Sequence, residues 1–179
     1  MIKSRSDFII YLEADRKALA RQNNWSLKSR MFDGIWYFER LLRKIEYFQN
    51  CKKGLFWKII RQFYVLKFNK LSQELGFSIP INVFGPGLSI AHRGTIVINP
   101  EVKIGANCRL HVCVNIGVGS DGRCPVLGDN CYIGPGAKLF GGIKIANGIK
   151  IGANAVVNKS FLEENCTIAG VPAKVVSKR

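Results

Sequence analysis

The sequence predicts a mainly β chain, in which a solenoid of six-residue repeats follows an N-terminal α-helical segment. Three observations predict it. Aliphatic residues recur every six positions in the second half, aromatic residues crowd into the first half, and apolar residues there recur at helical steps.

The repeat is the strongest of these. Ile98, Ile104, Leu110 and Ile116 stand six residues apart, and the series resumes at Leu127, Ile133, Leu139, Ile145, Ile151 and Val157. Small or branched partners follow four positions later at Val102, Cys108, Val114, Cys131, Ala137, Ile143, Ile149 and Ala155. A period of six suits neither an α-helix nor an alternating strand. It suits a solenoid in which each hexad supplies a short strand and a corner, with both apolar positions pointing inward. Gly, Asn and Asp fit the tight corners. About five coils are expected over residues 79–179. The phase slips between Ile116 and Leu127, eleven residues instead of twelve. Residues 117–126 should therefore leave the coil as a protruding loop, where a rigid scaffold tends to carry its chemistry.

Residues 1–78 are expected to be a basic, aromatic-rich helical domain. Fifteen of the nineteen Phe, Trp and Tyr precede Pro80, whereas most glycines follow it. Ile35, Phe38, Leu42 and Ile45 recur at three- and four-residue steps, as do Leu55, Ile59, Phe63 and Leu66. Asp7–Arg21 is a weaker helix candidate. Gly76 with Pro80 beyond it marks a helix stop.

Composition narrows the function. No uncharged apolar run reaches the roughly 18 residues of a spanning helix, and Met1–Asp15 reads as no signal peptide. The cytoplasm is the expected compartment. The six cysteines form no C-x-x-C pair and only two histidines are present, so no metal site is expected. The net charge of +15 is spread over both halves, 16 Lys/Arg against 7 Asp/Glu in residues 1–79 and 11 against 5 in residues 80–179. No nucleic-acid signature accompanies it, so nucleic acid is not the expected partner. The basic helices admit two readings: packing and subunit contacts with solvated faces, or contact with an anionic or lipid-linked glycan at the inner membrane face.

Five stretches carry a family resemblance. They are Gly85-Pro-Gly-Leu-Ser-Ile-Ala-His-Arg-Gly-Thr-Ile-Val-Ile-Asn-Pro100, Val114-Asn-Ile-Gly117, Leu127-Gly-Asp-Asn130, Ile133-Gly-Pro-Gly-Ala-Lys138 and Ala169-Gly-Val-Pro-Ala-Lys174. Together they resemble the serine acetyltransferase branch of the hexapeptide-repeat acyltransferases. The helical half is more similar to relatives that modify capsule, colanic acid or O-antigen sugars. The resemblance implies a left-handed parallel β-helix, acetyl-CoA as co-substrate, and a homotrimer with active sites between subunits. It implies His92 as catalytic general base, a role suited to imidazole with its ordinary pKa of about 6.5. It further implies acceptor contacts at Arg93, Asn115, Arg123 and Cys124. Acetyl-CoA contacts fall on Gly117, Gly119, Pro135, Gly136 and Ala153, with Lys159 and Lys174 near its phosphates.

Departures from the family pattern direct the acceptor reading. Ala91 stands where serine acetyltransferases carry an acidic residue, and Cys124 replaces a histidine beside Arg123. The carboxylate that orients the catalytic histidine has no clear counterpart. These changes lead to the expectation of a sugar O-acetyltransferase in surface polysaccharide synthesis. The alternatives are a serine O-acetyltransferase of cysteine synthesis and a non-catalytic trimeric scaffold.

Overall fold

The computed structural model describes residues 1–21 and 33–178. Among the described residues three helices lead: α1 (Arg5–Ala18), α2 (Gly34–Cys51) and α3 (Leu55–Leu75). Residues 22–32, within the segment expected to be helical, lie outside the described residues. Fourteen short strands follow, from β1 (Phe77–Ser78) to β14 (Ala173–Ser177).

The strands stack as a parallel β-solenoid of about five turns. One face orders β1, β3 (Ile96–Ile98), β6 (Asn115–Gly117), β9 (Lys138–Phe140) and β12 (Val156–Val157). A second holds β4 (Lys103–Ile104), β7 (Val126–Leu127) and β10 (Lys144–Ile145). The third runs β2 (Ser89–Ile90), β5 (Arg109–Leu110), β8 (Tyr132–Ile133), β11 (Lys150–Ile151) and β13 (Thr167–Gly170), closed by antiparallel β14. Inward aliphatics sit in register one coil above the next, as in Ile98, Ile116, Leu139 and Val157. Both expected inward sets are buried, including Cys108 and Cys131. Asn107, Asn130, Asn154 and Asn165 take positive φ at corners, a conformation asparagine tolerates better than most residues.

Each helix has a local cause. The Ser4 hydroxyl accepts a hydrogen bond from the Asp7 backbone N–H at 3.0 Å and caps α1. The Asp33 carboxylate does the same for α2 through Trp36 N at 3.1 Å. Gly76 ends α3 in the left-handed region at φ 77°, and a Cβ there would crowd the Gly94 carbonyl carbon at 3.2 Å. Phe38 joins the two halves: it stacks on Phe68 of α3 at 4.8 Å and meets Phe77 of β1 edge-on at 5.0 Å.

The structure shows which face of α3 is buried. Leu55, Ile59, Phe63 and Leu66 do form a helical stripe, but all four are more than half exposed, and Phe56 joins them. Phe68 and Leu75 are buried instead, with Tyr64 and Leu71 packed beside them. The helix is apolar around most of its circumference, so packing against α2, not periodicity, selects the inner face.

The first coil of a parallel solenoid has no preceding coil to bond its backbone, and an open edge invites unwanted pairing. Here charged side chains from the helices take that place. Arg43 donates to the carbonyls of Phe84 and Gly85 at 3.1 and 2.7 Å. Asp15 accepts from the N–H groups of Gly87 and Leu88 at 2.8 and 2.9 Å. Glu39 accepts from Ile90 N at 3.1 Å, and Glu46 from Asn82 N at 2.7 Å. All four side chains are buried.

Candidate active site

Two corners of the solenoid hold more residues than the repeat requires. The inward residues Ile90 and Ile98 are paired to Leu110 and Ile116 on the next coil. Leu110 to Ile116 spans six positions, whereas Ile90 to Ile98 spans eight. The two extra residues push the corner outward, and His92 and Arg93 are both exposed there. The second case is the loop after β6, where eleven positions separate Ile116 from Leu127. The loop is legible as a phase slip; the corner at His92 carries the same signal, but it precedes Ile98, where the hexad series begins.

At the first corner the His92 ring centroid lies 6.2 Å from that of His111, whose ring is 5.0 Å from Tyr132. His111 is half-buried, and its Nε2 has no hydrogen-bond partner among the described residues. Burial lowers the His111 pKa, helped by the charges of Arg109 and His92. Further down this corner, Gly136 N donates to Val112 O at 2.9 Å and Asn154 N to Pro135 O at 2.8 Å. His92, Pro135, Gly136 and Ala153 therefore line one edge of the solenoid. Arg93 reaches back toward the start of α2: its Nη2 lies 3.6 Å from where a Cβ on Gly34 would be.

The second corner holds a cavity of about 460 Å³ lined by Gly119, Asp121, Arg123, Phe140, Lys159 and Ser160, among others. That volume falls in the range of small-molecule sites, about 300–1,000 Å³. Arg123 is exposed and paired to Asp121 at 3.0 Å, while the Lys159 ammonium stands 5.5 Å from the Phe161 ring centre. A larger hollow of about 610 Å³ beside Met1, Val83 and Leu127 contains none of the catalytic, acceptor or acetyl-CoA residues expected from sequence.

The remaining sequence candidates are scattered. Asn115 and Gly117 are the two ends of β6, on the face between the two corners. Lys174 is exposed on β14, paired to Ala169 of β13. Cys124 is half-buried against the core, and burial pushes its thiol pKa up, with Glu101 and Asp121 adding to the shift. A raised thiol pKa leaves little thiolate, so Cys124 acts as a packing residue. Among the described residues no group of three or more His, Cys, Asp or Glu is placed to hold a metal ion.

The two clusters lie on corners at opposite edges of the five-stranded face. One chain presents His92 at one edge and the cavity lined by Arg123 and Lys159 at the other.

Comparison with known proteins decides the family. The model for bacterial transferase hexapeptide (six repeats) matches residues 124–159. A serine acetyltransferase of Helicobacter pylori is 35% identical over 126 residues, covering 66% of this chain and 72% of that protein. The chain belongs to the serine acetyltransferase family of hexapeptide-repeat transferases. Among solved structures, the serine acetyltransferase of Brucella abortus superposes with a TM-score of 0.75 at 22% identity, over 97% of this chain and 70% of that one. A serine acetyltransferase solved with CoA gives 0.71 at 26% identity, over 96% and 71%. The chain spans only about two-fifths of the length of the first curated relatives it matches, from 38% to 44%.

These relatives overturn the expectation of a sugar O-acetyltransferase of polysaccharide synthesis. They are consistently serine acetyltransferases. Ala91 and Cys124 each alter one side chain beside the site, and neither change supplies a contact specific to a sugar. Loss of a familiar polar group does not by itself specify a new acceptor class.

Proposed function

We propose that the chain transfers the acetyl group of acetyl-CoA to the hydroxyl of L-serine. The observation that carries this reading is the exposed His92, set in a two-residue expansion of a family corner, in a fold shared with serine acetyltransferases. His92 takes the proton of the serine hydroxyl as its oxygen attacks the thioester carbonyl. The tetrahedral intermediate collapses, the carbon–sulfur bond breaks, and the leaving thiolate of CoA takes up the proton. O-acetyl-L-serine and CoA are the products.

Arg123 supplies the partner for the serine carboxylate, as a planar guanidinium in a cavity of suitable size. Arg93 and Asn115 complete the acceptor side, with Cys124 as a spacer. Pro135, Gly136 and Ala153 offer a corner edge for the pantetheine arm, with Gly117 and Gly119 at the thioester end. Lys159 and Lys174 neutralise CoA phosphates as mobile point charges.

The same proposal includes a left-handed coil, a cytoplasmic location and a homotrimer. Three supports favour the trimer. The family resemblance implies it, and the separation of His92 from Arg123 leaves a site that a neighbouring copy would complete. The exposed stripe of Leu55, Phe56, Ile59, Phe63 and Leu66 is also an apolar surface that subunit contact would cover. The direct test is product identity. Incubation with acetyl-CoA and L-serine should yield O-acetyl-L-serine by mass spectrometry; release of CoA without that product would overturn the acceptor.

A further inference from the structure

Asp121 stands in the loop after β6, exposed but with its carboxylate engaged three times. Oδ1 accepts a hydrogen bond from Arg123 N at 3.1 Å. Oδ2 accepts from Arg123 Nε at 3.0 Å and from Gly142 N, one coil further on, at 3.0 Å. These donors hold the carboxyl below the ordinary aspartate range, the Arg123 backbone N–H contributing most.

The surrounding glycines make the arrangement sterically possible. A Cβ on Gly142 would lie 2.7 Å from Arg123 Nε, so the guanidinium rests against bare backbone. A Cβ on Gly119 would lie 2.5 Å from Gly141 Cα. Gly119 N also donates to Arg123 O at 3.0 Å, which closes the loop into a compact turn. The loop is thereby pinned to the next coil on both sides of Asp121.

We propose that Asp121 is a positioning residue for Arg123. It clips the Nε side of the guanidinium and leaves the Nη1–Nη2 edge for the carboxylate of the acceptor. The proposal rests on the serine reading above. An exposed arginine samples many rotamers, and fixing it before the substrate arrives removes part of the ordering cost of binding. Engagement of Nε also selects geometry, since the carboxylate meets the end of the fork rather than its side.

Kinetics of Asp121→Ala, Arg123→Ala and the double variant test the clip, with L-serine and its methyl ester as acceptors. The ester keeps the hydroxyl and lacks the carboxylate charge. Asp121→Ala should raise the KM for serine at least tenfold and leave the KM for acetyl-CoA within twofold. Its preference for serine over the ester should fall toward that of Arg123→Ala, and the double variant should be no worse than Arg123→Ala. Equal losses with serine and ester, or additive effects in the double variant, would overturn the proposal. Phenylglyoxal modification of Arg123, followed by peptide mass spectrometry, reads the clip without any acceptor. The rate should rise severalfold in Asp121→Ala; an unchanged rate overturns the clip itself. Absence of serine turnover in the wild type, with the modification rate raised, overturns the acceptor assignment and leaves the clip standing.

Discussion

Arg43 holds Asp15 through two contacts, Nε to Oδ2 at 2.7 Å and Nη2 to Oδ1 at 3.2 Å, and neither side chain reaches solvent. The pair is anchored on both sides by the first coil of the solenoid, so it serves as a polar cap between helices and β-solenoid. Burying two ions is costly, and only the full set of partners compensates it. Truncating one partner strands the others. Arg43→Ala should therefore destabilise the chain by about 3–5 kcal/mol in urea denaturation. A loss below about 1 kcal/mol, the value of an exposed pair, would show that the cap is dispensable.

Glu39 gives the fold a pH dependence of unusual sign. Burial raises its pKa well above the ordinary value, reinforced by the Asp15 charge and opposed by the Ile90 N–H and Arg43. The native state thus keeps a proton that the unfolded chain releases near pH 4.3, the ordinary value for about every free glutamate. The stability contributed is full below that pH and is lost as pH rises through the raised folded value. Glu39→Gln, which keeps the acceptor for Ile90 N, should gain on the wild type in Tm as pH rises from about 4 to 7. Each 1 kcal/mol of gain corresponds to about 2–4 °C. Parallel Tm curves would contradict the assignment.

Gly119 is where the loop can least tolerate a side chain. Gly119→Ala places a Cβ 2.5 Å from Gly141 Cα, so the turn carrying Arg123 must shift. The loop lies outside the packed coil, and Tm should change little. The kcat/KM for L-serine should fall at least about tenfold, equivalent to about 1.4 kcal/mol. Unchanged kinetics would separate the loop from the acceptor site.

The exposed stripe on α3 predicts assembly. Sedimentation should give three times the 20.0 kDa chain mass, and Ile59→Glu with Phe63→Glu should shift the population toward smaller species. An unchanged trimer would free the stripe for another partner. Flotation with anionic vesicles at low salt would then assign it to a membrane surface.

Much of the solenoid was legible because a hexad repeat is a local rule: each inward residue sits six positions from the next and is buried by its own coil. Ile98 to Val157 follow it without reference to distant sequence. The buried charges were not legible. Glu39, Arg43 and Glu46 recur at helical steps beside Phe38, Leu42 and Ile45, the pattern of any solvated flank. Only the arrival of the first coil 36 to 51 residues later makes them interior. The inner face of α3 is not legible for a related reason, since a helix apolar on several sides leaves the choice to its neighbour. At the site, His92 and Arg123 were marked by motif and loop. Asp121 was missed because two of its three bonds are local, and the third depends on Gly142 one coil away.

The most direct test of the account is acetyl-CoA turnover with L-serine, comparing the wild type with His92→Ala. The account predicts serine-dependent CoA release by the wild type and a fall of about 10²–10⁴-fold in kcat for the variant, the usual contribution of a general base. Both proteins should show the same Tm, because His92 is exposed at a corner. Equal rates in the two proteins, or turnover with a panel of sugars and none with serine, would contradict it.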